Sequence, residues 1–442
     1  MAETVLGQAP SVAVERNARW NFIVNLWDVT FIMLGISLIS RETVMPALIN
    51  QLTDSKLAIG LIPAIYALGV NLPQLLIANF AERLHYKKPF VMMVGGAGER
   101  GGYLLAGLSV FFFAESAPQL ALVLFFLFLA FSAFSMGVGT PPWFDMIAKV
   151  IPTHRRGVWS GVGHGLGSLL GVAGAYVVGY VLERYLFPNN FVILFVVGFA
   201  IMMVSWGGLA LTREPASTTV KARISVKDYY RALPKLLRRD HNYARFLLSR
   251  TVAVLGTMAT GFYMVYGIEH FGVEGATIGW LTAVLVASQA LLGLVWGIIA
   301  DRFGHKLVLA GGALALMAAA LLAWFAPSQL WLTAIFILLG AGIAAELTSA
   351  LNIILEFCDP ADRPTYIGLT NTLLAPTLAL APLFGGWIAI LERRLQHPLP
   401  HHRALCRVGC CFIVDLGART AARGRDGMTG RQDDKMTRCL SD

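Results

Sequence analysis

Charge is scarce in this chain. Only 14% of its 442 residues are Asp, Glu, Lys or Arg, against about a quarter in an ordinary soluble domain. Cysteine is scarce too: there are five, and four of them (Cys406, Cys410, Cys411 and Cys439) fall in the last 40 residues. A disulfide-built scaffold is therefore excluded for most of the chain. No phosphate-cradling glycine loop, no nucleophile–base–acid set and no run of metal-ligand spacing occurs. That argues against an ATP-driven pump and against an enzyme, and it calls for no cofactor.

What the chain has is apolar length. It is 56% hydrophobic, with mean hydropathy +0.64. Runs of roughly 20 apolar residues recur along it, each long enough to cross a bilayer as a helix. Lipid offers backbone groups no partners, so such runs must be helical. The sequence predicts an all-α polytopic membrane protein with spans at about 20–40, 58–78, 90–113, 119–140, 157–183, 190–211, 246–268, 277–300, 306–326, 330–353 and 366–391. The first run carries no cleavage site and reads as a true span rather than a removable signal.

The net charge of +9 does not point to nucleic acid, because the basic residues alternate between connections. Arg83, Lys87 and Lys88, then Lys149, Arg155 and Arg156, then the segment 213–245, then Arg302 and Lys306, then Arg363 all fall on one side. The positive-inside rule places that side and the N-terminus in the cytoplasm. The expected organisation is an N-terminal tail (1–19), a six-helix bundle (20–212), a basic cytoplasmic linker (213–245), a second bundle with five clear spans (246–391) and an atypical Arg- and Cys-rich tail (392–442). The linker, with "KARISVKDYYRALPKLLRRD", suits either a helix lying on an anionic leaflet or a plain connector.

The chain repeats itself. Residues 58–84 align without gaps to residues 277–303, with Gly60 on Gly279 and Glu82 on Asp301, both at an offset of 219. Later the offset falls: Pro152 pairs with Pro360 at 208, and Leu182-Glu183-Arg184 with Leu391-Glu392-Arg393 at 209. Duplication around a central loop is common among secondary transporters. Gly297, Ala300, Asp301, Arg302, Gly304, His305 and Lys306 make up a loop that resembles the motif following the second span in the major facilitator superfamily. The first-half copy, Ala78, Ala81, Glu82, Arg83, His85 and Lys87, is degenerate and has lost its glycines. The resemblance covers residues 20–391. It implies two six-helix bundles that rock about a midplane site, with Glu82, Arg83, Lys87, Gly297, Asp301, Arg302, Gly304 and Lys306 as a gating loop. Gly304 would permit the tight turn, and Asp301 would meet a helix N-terminus.

Polar residues inside spans are expensive and mark function by default. Glu99 and Arg100, in "GGAGERGG", and Glu346, in "GAGIAAELTSALN", sit near mid-depth at 1.5 Å per residue. A structural pairing of Arg100 with Glu346 or Asp28 is the alternative. Asn71 and Gln289 lie at similar depth. Asn21, Asn25 and Asp28 form one stripe on the first span; Trp20 and Trp27 beside them suggest a shallow, interfacial position instead. His164 lies between Ser160 and Ser168 among glycines that favour close helix packing. Pro376 and Pro382, with Gly385 and Gly386, are expected to break the eleventh span, placing Asn371 and Thr377 by a solute path. Phe262, Tyr263 and Tyr266 add aromatic surface. The resemblance places the first and tenth spans along the cavity and the third outside it. The fifth span lacks the Gly-Pro step of the family's antiporters, and the fourth lacks the intramembrane arginine of its proton-coupled drug exporters.

The repeat calls for a twelfth span from about 397. The stretch found there, "HPLPHHRALCRVGCCFIVDLGARTAARGRDG", is too short and too charged to cross. Its Cys-x3-Cys-Cys run, with His401 and His402, has poor zinc spacing. A frameshift that replaced the native helix explains the change of composition. The sequence thus predicts a secondary transporter for a small solute in the cytoplasmic membrane, monomeric, embedded in lipid, with proton coupling through Glu99, Glu346 or Asp28. A membrane receptor or scaffold without flux, or a transporter inactivated at its C-terminus, are the other readings.

Overall fold

The computed structural model describes residues 9–81, 84–216, 241–357 and 363–395, and among these there is helix and no strand. Glu82 and Arg83, most of the linker, and the tail beyond residue 395 lie outside the described residues. Among the described residues, ten helices are long and apolar enough to cross a membrane. They are Ala9–Leu38 (first passage), Lys56–Ala81 (second), Pro118–Val150 (fourth), Thr153–Arg184 (fifth), Asn189–Ala210 (sixth), His241–Phe271 (seventh), Gly275–Phe303 (eighth), His305–Phe325 (ninth), Leu330–Leu355 (tenth) and Arg363–Leu395 (eleventh). The third passage, from Lys88 to Phe113, is divided. All eleven expected passages are present, several extended beyond their apolar cores. A short helix, Val44–Leu52, also follows the first passage and buries Val44 to Ile49; hydropathy gave no sign of it. Below, the near face is the membrane side holding the N-terminus, and the far face is the other.

Two passages are interrupted, and neither interruption is where proline predicts. Pro376 and Pro382 lie inside a continuous helix, as do Pro63 and Pro73 in the second passage and Pro141 and Pro142 in the fourth. Neighbouring helices can take up the freed backbone groups. Glycine marks the real breaks. The third passage runs Lys88–Met93, widens to a π-helix over Val94–Arg100, and resumes as Gly101–Phe113. The seventh tightens to a 3-10 turn at Gly256–Ala259 before Phe262–Phe271 resumes.

Small residues bring the helices together, as expected where lipid supplies no hydrophobic drive between them. Along the fifth passage, Gly163 faces Val29, Gly167 faces Met33, and Gly174 faces Ser37 and Leu34, all on the first passage. Higher up, Gly171 meets Val286, and Gly179 meets Ala276 and Gly279 of the eighth passage. A Cβ on Gly279 would stand 2.5 Å from the Gly179 Cα, and one on Gly60 would stand 2.5 Å from the Pro382 carbonyl oxygen. The fifth–eighth and second–eleventh pairs join the two halves.

Those joints are held at the far face by several contacts. There Lys56 pairs with Glu269, the Thr282 hydroxyl donates to Thr43 Oγ1 at 2.8 Å, and Gly386 abuts the backbone of Lys56 and Leu57. Nearer the N-terminal side, the Asn371 amide donates to Gln74 Oε1 at 3.3 Å. Among the described residues, Gly165 and Gly297 have no neighbour within 4 Å of where a Cβ would sit.

Candidate functional site

Each half brings an arginine against a carboxylate at mid-depth. In the first half, the glycines around Glu99 allow the third passage to approach its neighbours closely: Gly98 faces Ser135, Gly102 faces Ser132, and Gly96 faces Trp206. The π-turn presents Arg100 at its end. The guanidinium donates to the Met202 carbonyl (2.9 Å), the Gly95 carbonyl (3.0 Å) and the Ser205 hydroxyl (3.0 Å), and reaches Asp28 Oδ1 at 3.5 Å. Ser205 donates in turn to Asp28 at 2.6 Å. Asp28 and Arg100 are each 4% exposed, so the pair is sealed between the first, third and sixth passages. Of the two acids offered as partners for Arg100, Asp28 is the one it meets. Glu99 stands beside it, 3.8 Å from Nη1, and Ser132 donates to its backbone carbonyl.

The polar stripe on the first passage turns toward the sixth. Asn21 exchanges bonds with the Arg213 backbone, and Thr212 donates to Asn25 at 3.3 Å. Trp20 and Trp27 donate to the Leu211 and Val204 carbonyls. Asp28 is thus fully buried rather than shallow: the tryptophans anchor the first passage to the sixth with their indole N–H groups.

In the second half Glu346 pairs with Arg250, a residue the hydropathy reading passed over. The contact is fork to fork, Nη1 to Oε1 at 2.6 Å and Nη2 to Oε2 at 2.5 Å. It is far less enclosed: the Arg250 side chain is 11% exposed and that of Glu346 is 37% exposed. Of the other predicted site residues, Asn71 bonds back to the Ala67 carbonyl of its own helix at 2.8 Å, Gln289 is half-buried with its backbone against Gly340, and Asn371 bridges to Gln74. Tyr263 is buried in the apolar core. His164 is exposed, next to the packed Gly163.

The gating loop divides. Gly304 takes φ +85° and ψ 157°, a conformation essentially closed to other residues, and this makes the expected turn between the eighth and ninth passages. Arg302 and Lys306 are exposed, and Gly297 faces open space; the Asp301 side chain lies outside the described residues. In the first half Lys87 is buried and ties together its own bundle. Its ammonium meets Asp145 at 2.9 Å and the Leu84 carbonyl at 2.9 Å. Glu214 completes this knot, accepting from the backbone N–H groups of Lys87 and Lys88 and from the Lys149 ammonium at 2.8–2.9 Å. The sequence reading missed Glu214, an acid in a basic connection.

Comparison with known proteins agrees with this architecture. A stretch of the chain is 29% identical to the niacin transporter NiaP of Acinetobacter baylyi over 145 residues, covering 31% of this chain and 33% of that protein. An uncharacterized MFS-type transporter of Methanocaldococcus jannaschii is 22% identical over 360 residues, 78% of this chain and 83% of that one. Among solved structures, the nucleoside transporter NupG (D323A mutant) superposes with TM-score 0.66 at 14% identity, covering 91% of this chain and 99% of that chain. An inward-facing, unoccupied bacterial homolog of the human lysosomal transporter Spinster gives 0.63 at 17% identity, covering 86% and 85%. The sequence profile of the Major Facilitator Superfamily matches residues 30–268 and 246–392, nearly the whole of the membrane-crossing region; the chain belongs to the Major Facilitator Superfamily.

Proposed function

We propose that this chain is a secondary active transporter, a carrier rather than an enzyme, that moves a small organic solute by alternating access. The observation that carries the reading is the far-face joint between the halves. There an ion pair, a hydroxyl pair and glycine contacts hold them together. Such a state presents a midplane site to one side of the membrane, and loosening the far-face contacts while tightening near-face ones would present it to the other. The near face is the cytoplasmic one on the charge rule, and the protein works as a monomer in the cytoplasmic membrane. Similarity to a niacin transporter over part of the chain makes small heterocyclic acids the first solutes to try. Proton coupling, if it operates, falls to Glu346, the more accessible of the mid-depth acids.

The test is uptake by the full chain reconstituted in liposomes, with Lys56→Cys and Glu269→Cys combined. Oxidising that pair should lock the far face and abolish uptake, and reduction should restore it. Uptake unaffected by the cross-link would refute alternating access through this joint. Uptake that ignores an imposed proton gradient would remove the coupling.

A further inference from the structure

We infer that Arg250 and Glu346 form a docking site for the carboxylate of a small organic monoanion, which takes the place of Glu346 on the guanidinium. The inference rests on the transport reading for the pair's place in a solute path. It goes beyond that reading by naming the chemistry of the solute.

Comparison with two other buried cations shows why this one is available. Arg100 spends its donors on two backbone carbonyls, a hydroxyl and Asp28. Carbonyls within packed helices cannot leave, so a solute has nothing to displace. Lys56 is 5% exposed and spans the joint between the halves through Glu269; its role is to hold that joint. The two bonds Arg250 makes among the described residues both go to a single, partly exposed carboxylate.

The geometry of that contact is what any carboxylate would adopt. A planar guanidinium matches two carboxylate oxygens at once, and this fork is why arginine is chosen for such recognition. Glu346 therefore occupies the position a ligand carboxylate would fill. It can also leave. On the tenth passage, Gly340 and Ala344 face the eighth passage at Ser288 and Gly293, and Gly342 and Ala345 face the ninth at Leu316 and Gly312. Glu346 projects from the face those neighbours leave uncovered, and Leu347 beside it is 75% exposed. A 37% exposed carboxylate has room to swing off the fork, whereas the guanidinium, 11% exposed, stays. The vacated fork carries one positive charge and suits one carboxylate, with the apolar body of the anion against the exposed leucine. An amide, an alcohol or an amine gains none of this.

The experiment measures binding of benzoate, nicotinate and lactate, and of the neutral benzamide and nicotinamide, to the purified full chain. At least one acid should bind, with its amide weaker by roughly tenfold or more. Glu346→Gln should tighten the acid by roughly tenfold, because the internal competitor loses its charge. A purely structural ion pair would not produce that gain. Arg250→Lys keeps the charge but loses the fork, and should weaken the acid by roughly tenfold while the melting temperature holds. The inference is overturned if no acid binds up to about 10 mM, if the amides bind as well as the acids, or if Glu346→Gln weakens binding. The two readings fail separately. Arg250-dependent binding with no solute movement in liposomes would defeat transport and keep the site, whereas solute movement indifferent to both substitutions would defeat the site and keep transport.

Discussion

The two halves hold the same kind of pair, an arginine against a carboxylate inside the membrane, and use it in opposite ways. Asp28 and Arg100 are 4% exposed each and embedded in further bonds from the third and sixth passages. Arg250 and Glu346 meet only through their two forks, with the acid more than a third exposed. The difference teaches that depth in a membrane does not by itself make a charged group functional. What separates a structural pair from an available one is how many partners would have to be broken to free it.

That contrast can be broken most sharply at Arg100. Arg100→Met leaves Asp28 buried beside nothing of opposite charge. It should cost about 3–5 kcal/mol, read as a large fall in melting temperature or as failure to recover folded protein. The matching change in the second half, Arg250→Gln with Glu346→Gln, leaves no lone charge and should cost only about 1 kcal/mol, with the melting temperature nearly held while acid binding is lost. Equal losses of stability in the two halves would erase the distinction. Between these lies Ser205→Ala, which removes the hydroxyl that both donates to Asp28 and accepts from Arg100, at about 1–3 kcal/mol. A counterpart outside the pairs is Gly60→Ala. Its methyl would press on the Pro382 carbonyl, for about 1–3 kcal/mol of overpacking, and should favour states in which the second and eleventh passages part. Raised accessibility of a cysteine at position 57 to a water-soluble maleimide would register that parting.

The passages were legible because lipid forces a simple code, apolar length read as helix. The duplication was legible for the same reason, and even its slip has a physical source. The third and fourth passages span 26 and 33 residues, where the ninth and tenth span 21 and 26. Those extra turns account for the fall in offset from 219 to 208. Glu346 stood out by depth, but its partner did not. Arg250 falls at the fifth residue of the apolar run from 246 and looked interfacial, yet the described helix already runs from His241, which sets Arg250 about 14 Å further along it. Ser205 could not be singled out, since a serine within an apolar helix is ordinary. Pro376 and Pro382 misled, because proline breaks a helix only where nothing nearby takes up the freed carbonyl. The glycines flanking the seventh passage's turn carried the break instead, as backbone freedom rather than missing hydrogen bonds.

The meeting of Gly179 with Gly279 has a mechanical meaning. Two helices that touch through bare backbone have no interlocked side chains to disengage before one turns against the other. The contact sits toward one end of both helices, so it acts as the short side of a lever. From Gly279 to Phe303 the eighth passage runs about 36 Å. A tilt of about 10° at the glycines would carry its other end through about 6 Å, enough to open or shut a channel the width of a small molecule.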